Sequence, residues 1–213
     1  MKQDRLIKEI SKSLKLIIGK DLGFNQSHRF HYTINGEFKA INRFDSPQKQ
    51  VNVLNWFDDF WLFLEIKFEN NDMEETGKNT GISGNKLNTF ISLSVFQGDA
   101  SDTEKYQLFR AEWDDYNNPE EKYAQPHWHI TSSQAVENIL KIYADALNQQ
   151  DILRELENEK KKVIDVKKIH FAMNGDWQNN GTHIHKMENE RQIARWLQGM
   201  LDHIRTELMR FIS

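Results

Sequence analysis

Asp59–Glu69 reads DFWLFLEIKFE. Phe60, Leu62, Leu64, Ile66 and Phe68 fall on one parity, and Trp61, Phe63, Glu65, Lys67 and Glu69 on the other. Successive side chains of an extended chain point to opposite faces, so this is a strand with one wholly apolar face. The segments on either side extend the pattern. Arg29–Phe44 (RFHYTINGEFKAINRF) alternates around Asn35-Gly36, a dipeptide whose residues both accept positive φ, and this predicts a hairpin. Downstream, Thr89–Phe96, Tyr106–Trp113 and Pro126–Thr131 read as further strands, the last opened by a proline where the lost N–H matters least. The polar, glycine-containing stretch Asn70–Asn88 reads as a mobile surface loop between two of them.

Helices bracket the strands. Leu6, Ile7, Ile10, Leu14, Ile17 and Ile18 recur at helical spacing over residues 4–18, and Gly19 and Gly23 end the run. After the strands, Val136, Ile139, Leu140, Tyr143 and Leu147 predict a helix with Ser132 or Ser133 as N-cap. Asp151–Lys162 reads as a second helix or an extension, and Val166–Met173 as one late strand. Ile193, Trp196, Leu197, Met200, Leu201, Ile204, Leu208 and Phe211 form an amphipathic stripe of more than five turns. The order is an α+β pattern within a single domain over residues 1–213. It has an N-terminal helix and a largely antiparallel β-meander covered by C-terminal helices.

Composition narrows the function. The 213 residues contain no cysteine, which excludes a disulfide framework, thiolate zinc, iron–sulfur clusters and a cysteine nucleophile. A formal net charge of −4 gives no strong nucleic-acid signal and argues against a polybasic membrane binder. The N-terminus lacks the apolar core and cleavage site of a signal peptide, and the most apolar run, Phe57–Phe68, is broken by Asp58, Asp59, Glu65 and Lys67. The expected protein is cytoplasmic, without a membrane span, and a monomer or small homo-oligomer. Three of the six tryptophans, Trp113, Trp128 and Trp196, fall on apolar faces, whereas Trp177 stands in a polar loop.

The histidines are the second unusual count: eight, five of them between His127 and His185. Alternation places Arg110 and Glu112 on one face of Gln107–Trp113, His127, His129 and Thr131 on one face of His127–Thr131, and Lys168 and His170 on one face of Lys168–Met173. In each segment the opposite face is apolar. If the three strands are neighbours, Arg110, Glu112, His127, His129 and His170 converge, with Asp114 and Asp115 at the rim. Two imidazoles two residues apart on a strand suit one metal ion. His127, His129, His170 and Glu112 are the candidate ligands of a divalent metal such as zinc, which takes imidazole and carboxylate and keeps a position for water. Glu112, His129 and Arg110 are the candidate catalytic groups, with Arg110 holding an anionic substrate group or a carboxylate beside the metal. His183-Ile184-His185 presents a second His-x-His, and His28, His31 and His203 read as structural or surface residues.

His129-Ile130-Thr131, preceded by Trp128, resembles one half of the paired His-x-Thr/Ser signature of two-histidine phosphoesterases. That resemblance implies a second motif downstream, where His170-Phe171-Ala172 and His183-Ile184-His185 both lack the hydroxyl residue. The helix–meander–helix order is similar to ubiquitin-conjugating folds, whose thioester step needs a cysteine this chain does not have. Two functions compete. The first is a metal-dependent hydrolase acting on a phosphoester or similar small anionic substrate. The second is a non-catalytic accessory protein of a bacterial-type cytoplasmic multiprotein system, docking a partner protein through its polar sheet face. P-loop, Rossmann, nucleophile-elbow and HExxH signatures are absent.

Overall fold

The computed structural model of the protein describes residues 3–70, 87–116, 126–130 and 187–212. These form helix α1 (Gln3–Ile18), strands β1 (Phe24–His28), β2 (His31–Ile34), β3 (Phe38–Asn42), β4 (Lys49–Phe57), β5 (Phe60–Asn70), β6 (Leu87–Gln97), β7 (Tyr106–Asp114) and β8 (His127–Ile130), and helix α2 (Glu190–Ile212). The architecture is α+β: an antiparallel eight-stranded sheet preceded in the chain by an N-terminal helix and followed by a C-terminal helix. No helix among the described residues is long and apolar enough to cross a membrane. Lying outside the described residues are most of the expected loop at 70–88, the helices expected at 136–147 and 151–162, the strand at 166–173, and with them His170, Trp177, His183 and His185.

From β4 to β8 each strand pairs antiparallel with the next, which is the expected meander. The other edge of β5 is shared. Its first residues pair with β4 (Leu54 opposite Leu62) and its later ones with β2 (Thr33 opposite Glu65, His31 opposite Lys67). This arrangement corrects one expectation. Asn35-Gly36 does not close a hairpin: β2 pairs with β1 and β3 pairs with β4. The glycine is needed for another reason. A Cβ on Gly36 would lie 2.4 Å from the backbone carbon of Val53, so only a residue without a side chain lets the chain pass that close to β4.

One face of the sheet carries the core. Phe60, Leu62, Leu64, Ile66 and Phe68 of β5, Ile91, Leu93 and Val95 of β6, and Phe109, Ala111 and Trp113 of β7 are all buried. They join Leu6, Ile10 and Leu14 of α1 and Ile193, Leu197, Leu201, Ile204 and Leu208 of α2 in one cluster. Burying each large apolar side chain contributes about 1.5–3 kcal/mol. The helices lie side by side in the same direction, with Arg5 beside Glu190 at their starts and Arg205 Nη1 donating to the Ile17 carbonyl further along. Gly19, at φ +76°, ends α1 and donates its N–H to the Lys15 carbonyl, closing a left-handed cap. The stripe of α2 is shorter than its sequence suggests. Leu208 is its last buried member and Phe211 is exposed.

The opposite face is buried where the β3–β4 hairpin folds back across it. Phe38 sits 4.7 Å, ring to ring, from Trp61. Gln107 Nε2 donates to Asn42 Oδ1 and to Ser94 Oγ, and the Arg43 amide donates to Gln107 Oε1. Lys105 is fully buried and its ammonium donates to the carbonyls of Lys39, Ala100 and Asp102 above the Trp61 ring. Burial lowers its pKa, with the charges of Asp102 and Asp99 acting in the other direction. These ties bring the turn after β3, with Phe44 and Asp45, over β7.

Candidate metal centre

Strands β7 and β8 are paired neighbours, with His129 opposite Arg110 and His127 opposite Glu112. Directly opposed residues of an antiparallel pair share a face, so all four side chains stand on the side away from the helices. The alternate residues go the other way: Trp128 lies opposite Ala111 and packs edge-on to Phe109, with ring centroids 5.6 Å apart. Ile130, expected on that apolar face, is exposed at the end of β8.

Three potential ligand atoms meet at one point. Glu112 Oε2 lies 2.7 Å from His129 Nε2 and 3.3 Å from His127 Nε2, and the two nitrogens are 3.1 Å apart. Glu112, His127 and His129 form the only group of three potential metal ligands among the described residues. Their donor set fits a divalent cation on chemical grounds. Oε2 of an ionised carboxylate only accepts and each Nε2 carries at most one proton, so hydrogen bonds cannot satisfy all three contacts at once in any tautomer. A cation in the middle accepts lone pairs from all three atoms instead. Glu112 Oε2, His127 Nε2 and His129 Nε2 would hold such an ion, which would supply Lewis acidity at this point of the sheet.

The carboxylate is held from behind. Arg110 Nε lies 2.9 Å from Glu112 Oε1, leaving Oε2 to the imidazoles, and Arg110 Nη1 donates to Asp45 Oδ1 at 2.8 Å. Phe44 closes the same side, with Arg110 stacked over its ring and His129 5.6 Å away. Burial acts to raise the Glu112 pKa. The hydrogen bond from His127, the Arg110 charge and the bond and charge of His129 outweigh it and keep the carboxyl below the ordinary glutamate range.

The site therefore brings together Arg110, Glu112, His127 and His129, while His170 lies outside the described residues. Of the aspartates expected at the rim, Asp114 Oδ1 accepts from the Tyr116 amide and Asp115 Oδ1 from the Thr89 amide. The Tyr116 hydroxyl beside them has a raised pKa, from burial and from the charge and hydrogen bond of Glu69. His203 lies on α2, and His31 belongs to a separate group on β2. Phe44 and Asp45 are additions that the sequence did not single out. Both come from the turn after β3, Asp45 lying 65 residues before Arg110, and no spacing rule links the two. No protein-family model matches the chain, and neither does any curated protein or solved structure.

Proposed function

We propose that the chain is a metal-dependent hydrolase of phosphoesters or similar small anionic substrates, with its centre at Glu112, His127 and His129. The supporting observation is the convergence of one carboxylate oxygen and two imidazole nitrogens, 2.7–3.3 Å apart, on one face of the sheet. Two histidines and one carboxylate are a common ligand set for catalytic zinc and for other open divalent sites. A divalent ion held there supplies a Lewis acid for a phosphoryl oxygen and lowers the pKa of water towards neutrality. In this reading Glu112, His127 and His129 hold the ion. Arg110 positions Glu112, because its contacts go to Glu112 and Asp45, and it adds positive charge beside the place an anion would occupy.

The test uses p-nitrophenyl phosphate and bis(p-nitrophenyl) phosphate with the purified protein, after dialysis against chelator and after addition of zinc, manganese or ferrous iron. Hydrolysis that needs a metal and is lost in His129→Ala and Glu112→Gln supports the assignment. Absence of turnover of either ester with all three metals, or turnover that survives both substitutions, contradicts it.

A further inference from the structure

The hairpin of β1 and β2 holds a second cluster of polar side chains, distinct from Glu112, His127 and His129. Ser27 Oγ lies 2.8 Å from His31 Nδ1, and His31 Nε2 lies 2.7 Å from Glu65 Oε1. The second oxygen of Glu65 pairs with Lys67 Nζ at 2.9 Å, so Oε1 is left to the imidazole. The tautomer follows from the partners. A carboxylate only accepts, so in the neutral ring the proton is on Nε2, and Nδ1 presents its lone pair to the Ser27 hydroxyl.

Two features of the fold build this chain of contacts. The pairing of β1 with β2 skips a residue between Gln26 and His28, so Ser27 is the extra residue of a β-bulge. A bulge re-aims the side chain it carries, here towards the ring of His31 across the turn. His31 in turn stands opposite Lys67 in the register of β2 with β5, which sets its ring beside Glu65. Ser27 is exposed, so a reagent reaches its oxygen directly.

We propose that Ser27, His31 and Glu65 form a hydroxyl–imidazole–carboxylate relay that makes Ser27 a nucleophile towards uncharged esters. Ser27 Oγ attacks the ester carbonyl carbon, its proton passes to His31 Nδ1, and the C–O bond breaks as the leaving alkoxide takes that proton. Glu65 stabilises the imidazolium in between. Water, deprotonated by the same nitrogen, then releases the acyl group and restores the serine. The relay shares no residue with Glu112, His127 and His129, which separates this site from the phosphoester chemistry proposed above.

An uncharged fluorophosphonate probe tests the relay on the full chain. Ser27 Oγ forms the O–P bond, the P–F bond breaks, and the hydroxyl proton passes to His31. Mass spectrometry of the digested protein is expected to find the adduct on Ser27, in the presence of EDTA as well as without it. Labelling should vanish in Ser27→Ala and slow by about a hundredfold in His31→Gln, the usual size of a lost general base. Glu65→Gln should slow it less, with circular dichroism confirming that each variant is folded. An unmodified Ser27 in the wild-type protein, an adduct confined to another residue, or a rate unchanged by His31→Gln would each overturn the proposal.

Discussion

The two faces of β7 are one residue apart and are held by different physics. Phe109, Ala111 and Trp113 face the helices and are buried against other apolar side chains, an interaction without direction that needs only the right volume. Arg110 and Glu112 face the other way, and each depends on a particular atom of a particular partner: Asp45 from a distant turn, His127 and His129 from the next strand. The first face is expected to set stability and the second to set ligand chemistry. Substitutions of increasing delicacy can separate them.

Trp113→Ala is the largest test. It empties a fully buried site, at an expected cost of about 3–5 kcal/mol in denaturant unfolding. A cost below about 1 kcal/mol would mean that the helix-facing side does not carry the fold. Arg110→Ala comes next. Removing the guanidinium takes the cation away from the buried Glu112 and from Asp45, at about 1–3 kcal/mol. It should also weaken any metal binding by loosening Glu112, which titration of a divalent ion would read separately from unfolding.

A pH dependence follows from Glu112. Its folded pKa lies below the ordinary value, so its ionised form stabilises the fold. That contribution is complete above the pH at which an unfolded glutamate titrates, about 4.3, and is lost as the pH falls through the lower folded value. Chemical denaturation between pH 3 and 6 should therefore show a shallower acid loss in Glu112→Gln than in the wild type. The smallest effect belongs to the exposed pair Lys15–Asp21, at 2.7 Å. Lys15→Ala should change stability by roughly 0.5 kcal/mol or less, since solvent screens such pairs.

The same contrast explains what the sequence could reveal. Period-two alternation in β5, β6 and β7 and helical periodicity in α1 and α2 identify elements and their buried sides, because burial is written in residue type. It also separates Arg110, Glu112, His127 and His129 from the core. Pairing order is not written there, and the adjacency of β7 and β8 emerges only in three dimensions. β4, KQVNVLNWF, escaped because its alternation is weak: Val53 and Trp56 are buried while polar residues occupy both parities. Asn35-Gly36 misled because glycine answers two different needs. The hairpin reading assumed positive φ, whereas the fold uses the missing Cβ for the close passage by Val53. His31 read as a structural or surface residue because Ser27 reaches it through a bulge and Glu65 through the pairing of β2 with β5, and neither follows from local spacing.

The most direct measurement of the central claim is zinc titration of chelator-treated protein against a competing chromophoric chelator. One equivalent should bind to the wild type, with binding abolished in the His127→Ala/His129→Ala variant and strongly weakened in Glu112→Gln, all three remaining folded by circular dichroism. Absence of competition by the wild type, repeated with manganese and ferrous iron, or undiminished binding in the double variant, would contradict a metal centre at Glu112, His127 and His129.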